Sequence, residues 1–302
     1  LNSTLSITFY FTEPALEFWA RQLNELGIPY VIYEPAGKPI IVATVVGTEP
    51  YLPSIMLNSH MDVVASEWKY PPFSAHMDEN GDIYARGAQD TKDVAIQYLE
   101  AIRRLKKDNV CLKRTIHITL MPDEESAGKG GIKAFVKTKE FKTLNIGFAL
   151  DEGLSSVDDT LYATFVDRRA WRDISSSDRL TIGSAFDVYY VVMMFQGGLA
   201  TNIIPTKVNL TVDLRLPPDA DVSNIKIEPV VCPATSDMLV LRNLGIPALG
   251  FSTKMRTIAK LHGKDEYQNV EVFLRGIDIY TELIKNLANV PDHQTVKLQQ
   301  YY

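Results

Sequence analysis

The sequence predicts an α/β protein, a mixed sheet with helices on both faces. Two observations carry this. Short apolar runs of strand length alternate with amphipathic stretches of helix length, the pattern of strands connected by packed helices. Three of these runs are followed by residues of types that can ligate metals, His60, Glu125 and Glu152, and in such sheets ligands collect beyond the carboxyl ends of strands.

In chain order, Thr12 caps a helix whose first turn holds Glu13 and Pro14. Leu16, Trp19, Leu23 and Leu26 follow at helical spacing, and Gly27 ends it. Tyr30–Tyr33 and Ile40–Val46 read as strands, and Ile55-Met56-Leu57 as a central strand that delivers His60. Asn80-Gly81 marks a turn between two short extended pieces. The segment Thr91 to Lys107 is a helix with Ala95, Tyr98, Leu99, Ile102 and Leu105 on its apolar face. Ile116, Ile118 and Leu120 alternate with Thr115, His117 and Thr119, which is strand periodicity, and that run leads into Pro122-Asp123-Glu124-Glu125. Ile132, Phe135 and Val136 suggest a helix; Ile146–Leu150 is a strand ending in Asp151-Glu152-Gly153.

From Trp171 to Val222 the pattern changes to strands alone, Asp187–Phe195 and the alternating run Val208–Leu216. A piece this short does not bury a core by itself, since roughly 40–60 residues is marginal. We therefore divide the chain into a main domain, residues 1–170 and 223–302, and an insertion, residues 171–222. After it, Ser236–Asn243 reads as a helix, Ala248–Phe251 as a buried strand, and His262 lies in a loop. Phe273, Ile277, Tyr280, Ile284 and Leu287 form the stripe of a long last helix.

Composition narrows the function. At 302 residues and 46% hydrophobic, the chain buries a sizeable core. Its net charge of -6 argues against nucleic acid or an anionic membrane as partner. Two unpaired cysteines, Cys111 and Cys232, favour a reducing compartment, and we expect a cytoplasmic protein. No apolar run approaches the ~20 residues that span a bilayer, and Leu1–Phe11 lacks the basic start of a signal peptide.

The stretch Tyr84-Ala85-Arg86-Gly87-Ala88-Gln89-Asp90-Thr91-Lys92 runs from a strand end through a glycine turn into a helix, with Asp90 at the junction. With His60, Glu125, Glu152 and His262 it makes a set of two imidazoles and three carboxylates. Such a set suits two borderline-hard cations that share one carboxylate, and it leaves positions open for water, as a catalytic centre requires. Asp90 is the natural bridge, Glu124 the natural general base, and Asp62 the natural support for the His60 ring. His76, His117 and His293 read as structural or solvent-facing.

The runs Leu57-Asn58-Ser59-His60-Met61-Asp62-Val63-Val64, Ala85-Arg86-Gly87-Ala88-Gln89-Asp90, Pro122-Asp123-Glu124-Glu125, Ala149-Leu150-Asp151-Glu152-Gly153, Asn202-Ile203-Ile204-Pro205, Gly245–Ser252 and Phe273–Tyr280 together resemble the cytosolic aminoacylase branch of the co-catalytic zinc peptidases. The resemblance covers most of the chain in order. It implies a three-layer zinc-peptidase sheet with a truncated α+β lid insertion, and hydrolysis of N-acyl-L-amino acids. It implies two Zn2+ ions, one held by His60, Asp90 and Glu152, the other by Asp90, Glu125 and His262. Glu124 is then base and acid, Asn202 a contact for the substrate carboxylate, and a homodimer is expected where the lid is competent. The chain also departs from that pattern. No Gly-x-x-x-His-Ala-Ser-like motif follows Trp171, and Leu239 stands near the position of the family's carboxylate-binding Arg. Two other readings stay open on these residues: a dipeptidase or carboxypeptidase of the same superfamily, or a catalytically impaired homologue that keeps its metals for binding.

Overall fold

The computed structural model describes residues 13–64, 68, 70–167 and 226–290. The insertion 171–222, with Asn202 and the two strands expected there, lies outside them, as do Thr12 and His293.

The elements run α1 (Glu13–Glu25), β1 (Tyr30–Tyr33), β2 (Ile40–Val45), β3 (Ser54–His60), β4 (His76–Met77), β5 (Asp82–Tyr84), α2 (Lys92–Lys107), β6 (Ile116–Met121), α3 (Ile132–Phe135), α4 (Lys139–Thr143), β7 (Ile146–Asp151), β8 (Thr160–Asp167), β9 (Lys226–Cys232), α5 (Met238–Asn243), β10 (Ala248–Phe251), β11 (Tyr267–Asn269) and α6 (Val270–Ala288). Eight strands form one mixed sheet in the order β1-β2-β6-β3-β7-β10-β8-β9, and β11-β5-β4 form a small second sheet. Within the large sheet β6, β3, β7 and β10 are mutually parallel. Their carboxyl ends therefore share one edge, and the metal-ligating motifs leave from it.

Among the described residues the expected helices and strands are present. Gly27, at φ +59°, turns the chain out of α1. Every residue of β3 is buried, as in a strand covered on both faces. Ile55 and Leu57 point to a core shared with α1, α2 and α6, whereas Met56 points to a second core with α3, α4 and α5. Helices thus cover both faces, giving three layers. The polar face of β6 lies under the second layer rather than in water. His117 is bonded there to Thr44 Oγ1 at 3.0 Å and to the Leu144 carbonyl at 3.2 Å, and Thr119 Oγ1 donates to Asn58 Oδ1 at 2.6 Å. Strands β8 and β9 had no counterpart in the sequence reading. Pro229 lies within β9, and proline is tolerated there because β9 is at the edge of the sheet among the described residues.

Helices α2 and α6 cross closely at Gly276. A Cβ added there would stand 2.1 Å from Gln97 Nε2 and 2.2 Å from Thr253 Oγ1. Gln97 itself is fully committed, donating to the Phe273 carbonyl at 3.0 Å and accepting from Thr253 at 3.2 Å. Gly276→Ala is accordingly expected to destabilise the fold by about 1–3 kcal/mol, the usual cost of overpacking. A lower denaturant midpoint at unchanged slope is the measurement.

Candidate metal centre

His60 ends β3 beside the end of β6: the two strands pair as far as His60 and Met121, and the Met61 amide still donates to the Met121 carbonyl at 2.8 Å. The chain after β6 turns sharply through Asp123, at φ +70°. Asp123 is held by the ammonium of Lys38 and by the Gly130 amide, the latter at 2.7 Å. This turn presents Glu124 and Glu125 next to His60. Asp62 secures both sides of the junction. Its carbonyl bonds His60 Nδ1 at 2.9 Å, and its carboxylate accepts from the Glu124 amide at 3.2 Å and the Glu125 amide at 3.1 Å. The sequence reading assigned the ring to Asp62, and the bond does come from that residue, but from its backbone. The carboxylate lies 3.7 Å from the ring nitrogen and holds the two glutamates instead. Because Nδ1 donates to a carbonyl, the lone pair of the neutral ring is left on Nε2, facing the cluster.

Asp90 stands between the two imidazoles. One oxygen lies 3.1 Å from His60 Nε2 and the other 2.8 Å from His262 Nε2. On the His60 side Glu152, leaving the end of β7, approaches to 3.6 Å. On the His262 side Glu125 approaches to 2.9 Å. All five expected ligands therefore converge. The donor set also fits the group it was expected to hold. Bonds of about 2.0–2.1 Å at a tetrahedral ion put neighbouring ligand atoms about 3.3 Å apart, close to the spacings on each side of Asp90. Glu124 stands 4.0 Å from His60 Nε2, close enough to form with His60 and Glu152 a group of three whose donor atoms lie within 4.8 Å of one another, as do those of His60, Asp90 and Glu125.

The charges are strongly coupled. Burial disfavours a charge on His60, but Asp90 and Glu152 outweigh it and hold its pKa well above the ordinary value. His262, which is more exposed, is raised to about 10 by Asp90 and Glu125. Burial opposes ionisation of Asp90, yet the two imidazoles keep its pKa below the usual carboxylate range. Burial pushes Glu152 up to about 7, and burial with the Glu152 charge pushes Glu124 up to about 10. A bound cation acts in the opposite direction on such carboxyls. The cluster is thus an anionic recess in which positive charge, from protons or metal ions, is strongly favoured.

The last ligand comes from far along the chain. His262 lies in a loop at φ +61°, an uncommon conformation for a residue with a side chain. Gln89, the neighbour of Asp90, holds that loop at several points. Its amide nitrogen donates to the Ile258 carbonyl at 3.1 Å and the Tyr267 carbonyl at 2.7 Å, and its oxygen accepts from the Lys260 amide at 2.9 Å. Lys254, fully buried, donates to the Gln89 carbonyl at 2.7 Å and to Asp93 at 3.2 Å. Behind Glu152, Asn58 bridges two buried carboxylates, Asp151 at 3.1 Å and Asp237 at 3.2 Å. Asp123, Gln89, Lys254 and Asp237 were not singled out from sequence. Gln89 and Asp123 carried a signal, their places in the motifs next to Asp90 and Glu124. Of the other histidines, His76 is exposed on β4 and stacks on Tyr70. Leu239 lies in α5.

A model of peptidase family M20/M25/M40 matches residues 56–286, which span β3 to α6 and include all five converging side chains. The chain belongs to this family. Aminoacylase-1 of Mus musculus is 33% identical to it over 371 aligned positions, covering 92% of this chain and 90% of that protein. Aminoacylase-1 of Sus scrofa is 35% identical over 366 positions, covering 91% and 89%. Both alignments are longer than this chain, so these relatives carry stretches with no counterpart here. Within the family the chain groups with the aminoacylases. Among solved structures, the M20 family metallo-carboxypeptidase Sso-CP2 from Sulfolobus solfataricus superposes with a TM-score of 0.64 at 15% identity, covering 92% of this chain and 94% of that one. Human carnosine dipeptidase 1 gives 0.65 at 10% identity, covering 92% and 91%. At such identities these two bear on the fold, and they agree with the three-layer architecture. The family is metal-dependent, and its candidate metal site in this chain is the cluster around Asp90. Among the described residues no helix is long and apolar enough to cross a membrane.

Asp62→Asn puts an amide nitrogen against one of the two glutamate amides and leaves that half-buried N–H unpaired. The expected cost is about 1–3 kcal/mol together with weaker metal binding by about 10–100-fold. Thermal melting of the metal-free protein and calorimetric zinc titration measure the two effects separately.

Proposed function

We propose that this chain hydrolyses the amide bond of N-acyl-L-amino acids at a pair of zinc ions, releasing a carboxylate and a free L-amino acid. The observation that carries this reading is the convergence of His60, Asp90, Glu125, Glu152 and His262 in a chain whose relatives at 33% and 35% identity are named aminoacylase-1. One ion is assigned to His60, Asp90 and Glu152, the other to Asp90, Glu125 and His262, with Asp90 bridging.

When bound, the zinc ions supply Lewis-acid polarisation of the scissile carbonyl and lower the pKa of water in the site. The chain's own groups do the rest. Glu124 takes a proton from the attacking water as its oxygen bonds the amide carbon. It returns that proton to the nitrogen as the C–N bond breaks, so that one water is consumed and an acid and an amine are formed. Asp62 keeps the Glu124 backbone and the His60 ring in register. Asn202 is assigned to the substrate carboxylate. Residues 1–170 and 223–302 are assigned to the catalytic domain and 171–222 to a shortened lid. A cytoplasmic location is proposed, with a homodimer where that lid is competent.

Glu124→Gln is expected to lower kcat by about 10²–10⁴-fold, the usual contribution of a general base, while leaving the zinc content unchanged by elemental analysis. Loss of zinc along with activity would move Glu124 into the ligand set. A dipeptide preferred over N-acetyl-methionine would replace this reading with that of a peptidase.

The residues after Trp171 lack the lid histidine motif expected from the resemblance, and losing one oxyanion donor costs about 10²–10³-fold. The zinc-loaded chain is therefore expected to turn over N-acetyl-methionine well below the ordinary enzymatic range of about 1–10³ per second. A kcat within that range would show the missing histidine to be dispensable.

A further inference from the structure

Behind the metal ligands lies a carboxylate with no role so far. Glu266 follows His262 by four residues and is completely buried. One of its oxygens collects three backbone amides of the Asp90 turn: Gly87 at 3.2 Å, Gln89 at 2.6 Å and Asp90 itself at 3.0 Å. The other accepts from Arg86 Nη1 at 2.7 Å. The same guanidinium reaches back with Nη2 to the Gly263 carbonyl, 3.1 Å away and next to His262. Taking a carboxylate out of water costs several kcal/mol unless paired and hydrogen-bonded, and four donors meet this one.

The turn before α2 is thus folded around an internal anion, much as a backbone nest folds around a bound one. Gly87 makes this possible, with φ +94° turning its amide inward. The anion belongs to the His262 loop. Its bonds fix where the Asp90 backbone stands relative to that loop, while Gln89 fastens the loop from the opposite direction. The turn and the loop therefore form one braced unit. His60 and Glu152, by contrast, are positioned by the ends of β3 and β7.

We propose that Glu266 is a positioning residue for one of the two metal sites: it sets the spacing between Asp90 and His262, and with it the affinity for the ion these two share with Glu125. The proposal rests on the two-ion reading above.

The test compares zinc titrations of the metal-free wild type, Glu266→Gln, His262→Ala and His60→Ala by calorimetry. Glu266→Gln keeps the side chain's shape but removes its charge and sets an amide nitrogen against a donor. It is expected to bind one ion as the wild type does and the other about 10–100-fold more weakly, the size of effect of an outer support on a metal ligand. Its profile should follow that of His262→Ala and not that of His60→Ala. If the single variant fails to fold because Arg86 loses its counter-ion, the double variant Arg86→Met/Glu266→Gln removes both charges, and the same selective weakening is expected there. Two ions at wild-type affinity, or equal weakening of both, would overturn the proposal by making Glu266 a general scaffold. A wild type that takes up one ion would instead overturn the two-ion reading, and this inference with it.

Discussion

A single carboxylate standing between two imidazoles is the constraint on which the site depends. The oxygens of Asp90 lie 3.1 Å and 2.8 Å from His60 and His262, so each half of the centre depends on where Asp90 stands relative to its own imidazole. The fold answers by determining that backbone from several directions. Glu266 gathers its amides, Lys254 holds the Gln89 carbonyl, and the Ser59 hydroxyl donates to the Thr91 carbonyl at 3.0 Å. Most of these partners are buried polar groups, costly if left unsatisfied and rigid when paired.

The sheet explains why the remaining ligands meet there. Strands β6, β3 and β7 run parallel, so the segments that leave them emerge on one edge and their first side chains are neighbours by construction. Asp62 then converts neighbourhood into geometry, with its carbonyl on the His60 ring and its carboxylate on the amides of both glutamates. The helices on the two faces supply burial, and the strand ends supply the chemistry. That division lets the centre carry several acids close together while apolar packing elsewhere maintains the fold.

Much of this was legible in the amino-acid sequence. The helix with Ala95, Tyr98, Leu99, Ile102 and Leu105 on one face was readable because a two-sided pattern repeats over four turns. Three of the five converging side chains, His60, Glu125 and Glu152, were readable because each follows an apolar run, and Asp90 because it stands in a glycine turn at the start of a helix. The supports were harder to see. Glu266 sits in Gly-Lys-Asp-Glu, which reads as a solvated acidic turn, and nothing local distinguishes a carboxylate that meets water from one that meets three amides of a distant turn. Lys254 is hidden in a similar way, since nothing in its neighbourhood along the chain tells a buried lysine from one at the surface. Strand β9 was missed because Pro229 lies inside it, and the burial of His117 because strand periodicity does not reveal whether the polar face is covered. The role of Asp62 was assigned to the right partner through the wrong atoms, since the spacing places the residue but not the group that makes the bond.

The position of His262 bears on how the molecule is made. His60, Asp90, Glu125 and Glu152 all leave the ribosome well before it, and β10, which lies inside the sheet between β7 and β8, is also synthesised late. During translation the early part of the chain thus carries a gathering of acids without its second imidazole, beneath a sheet still missing an interior strand. The five side chains can therefore gather around Asp90 only once the loop that carries His262 has emerged and docked on the Asp90 turn.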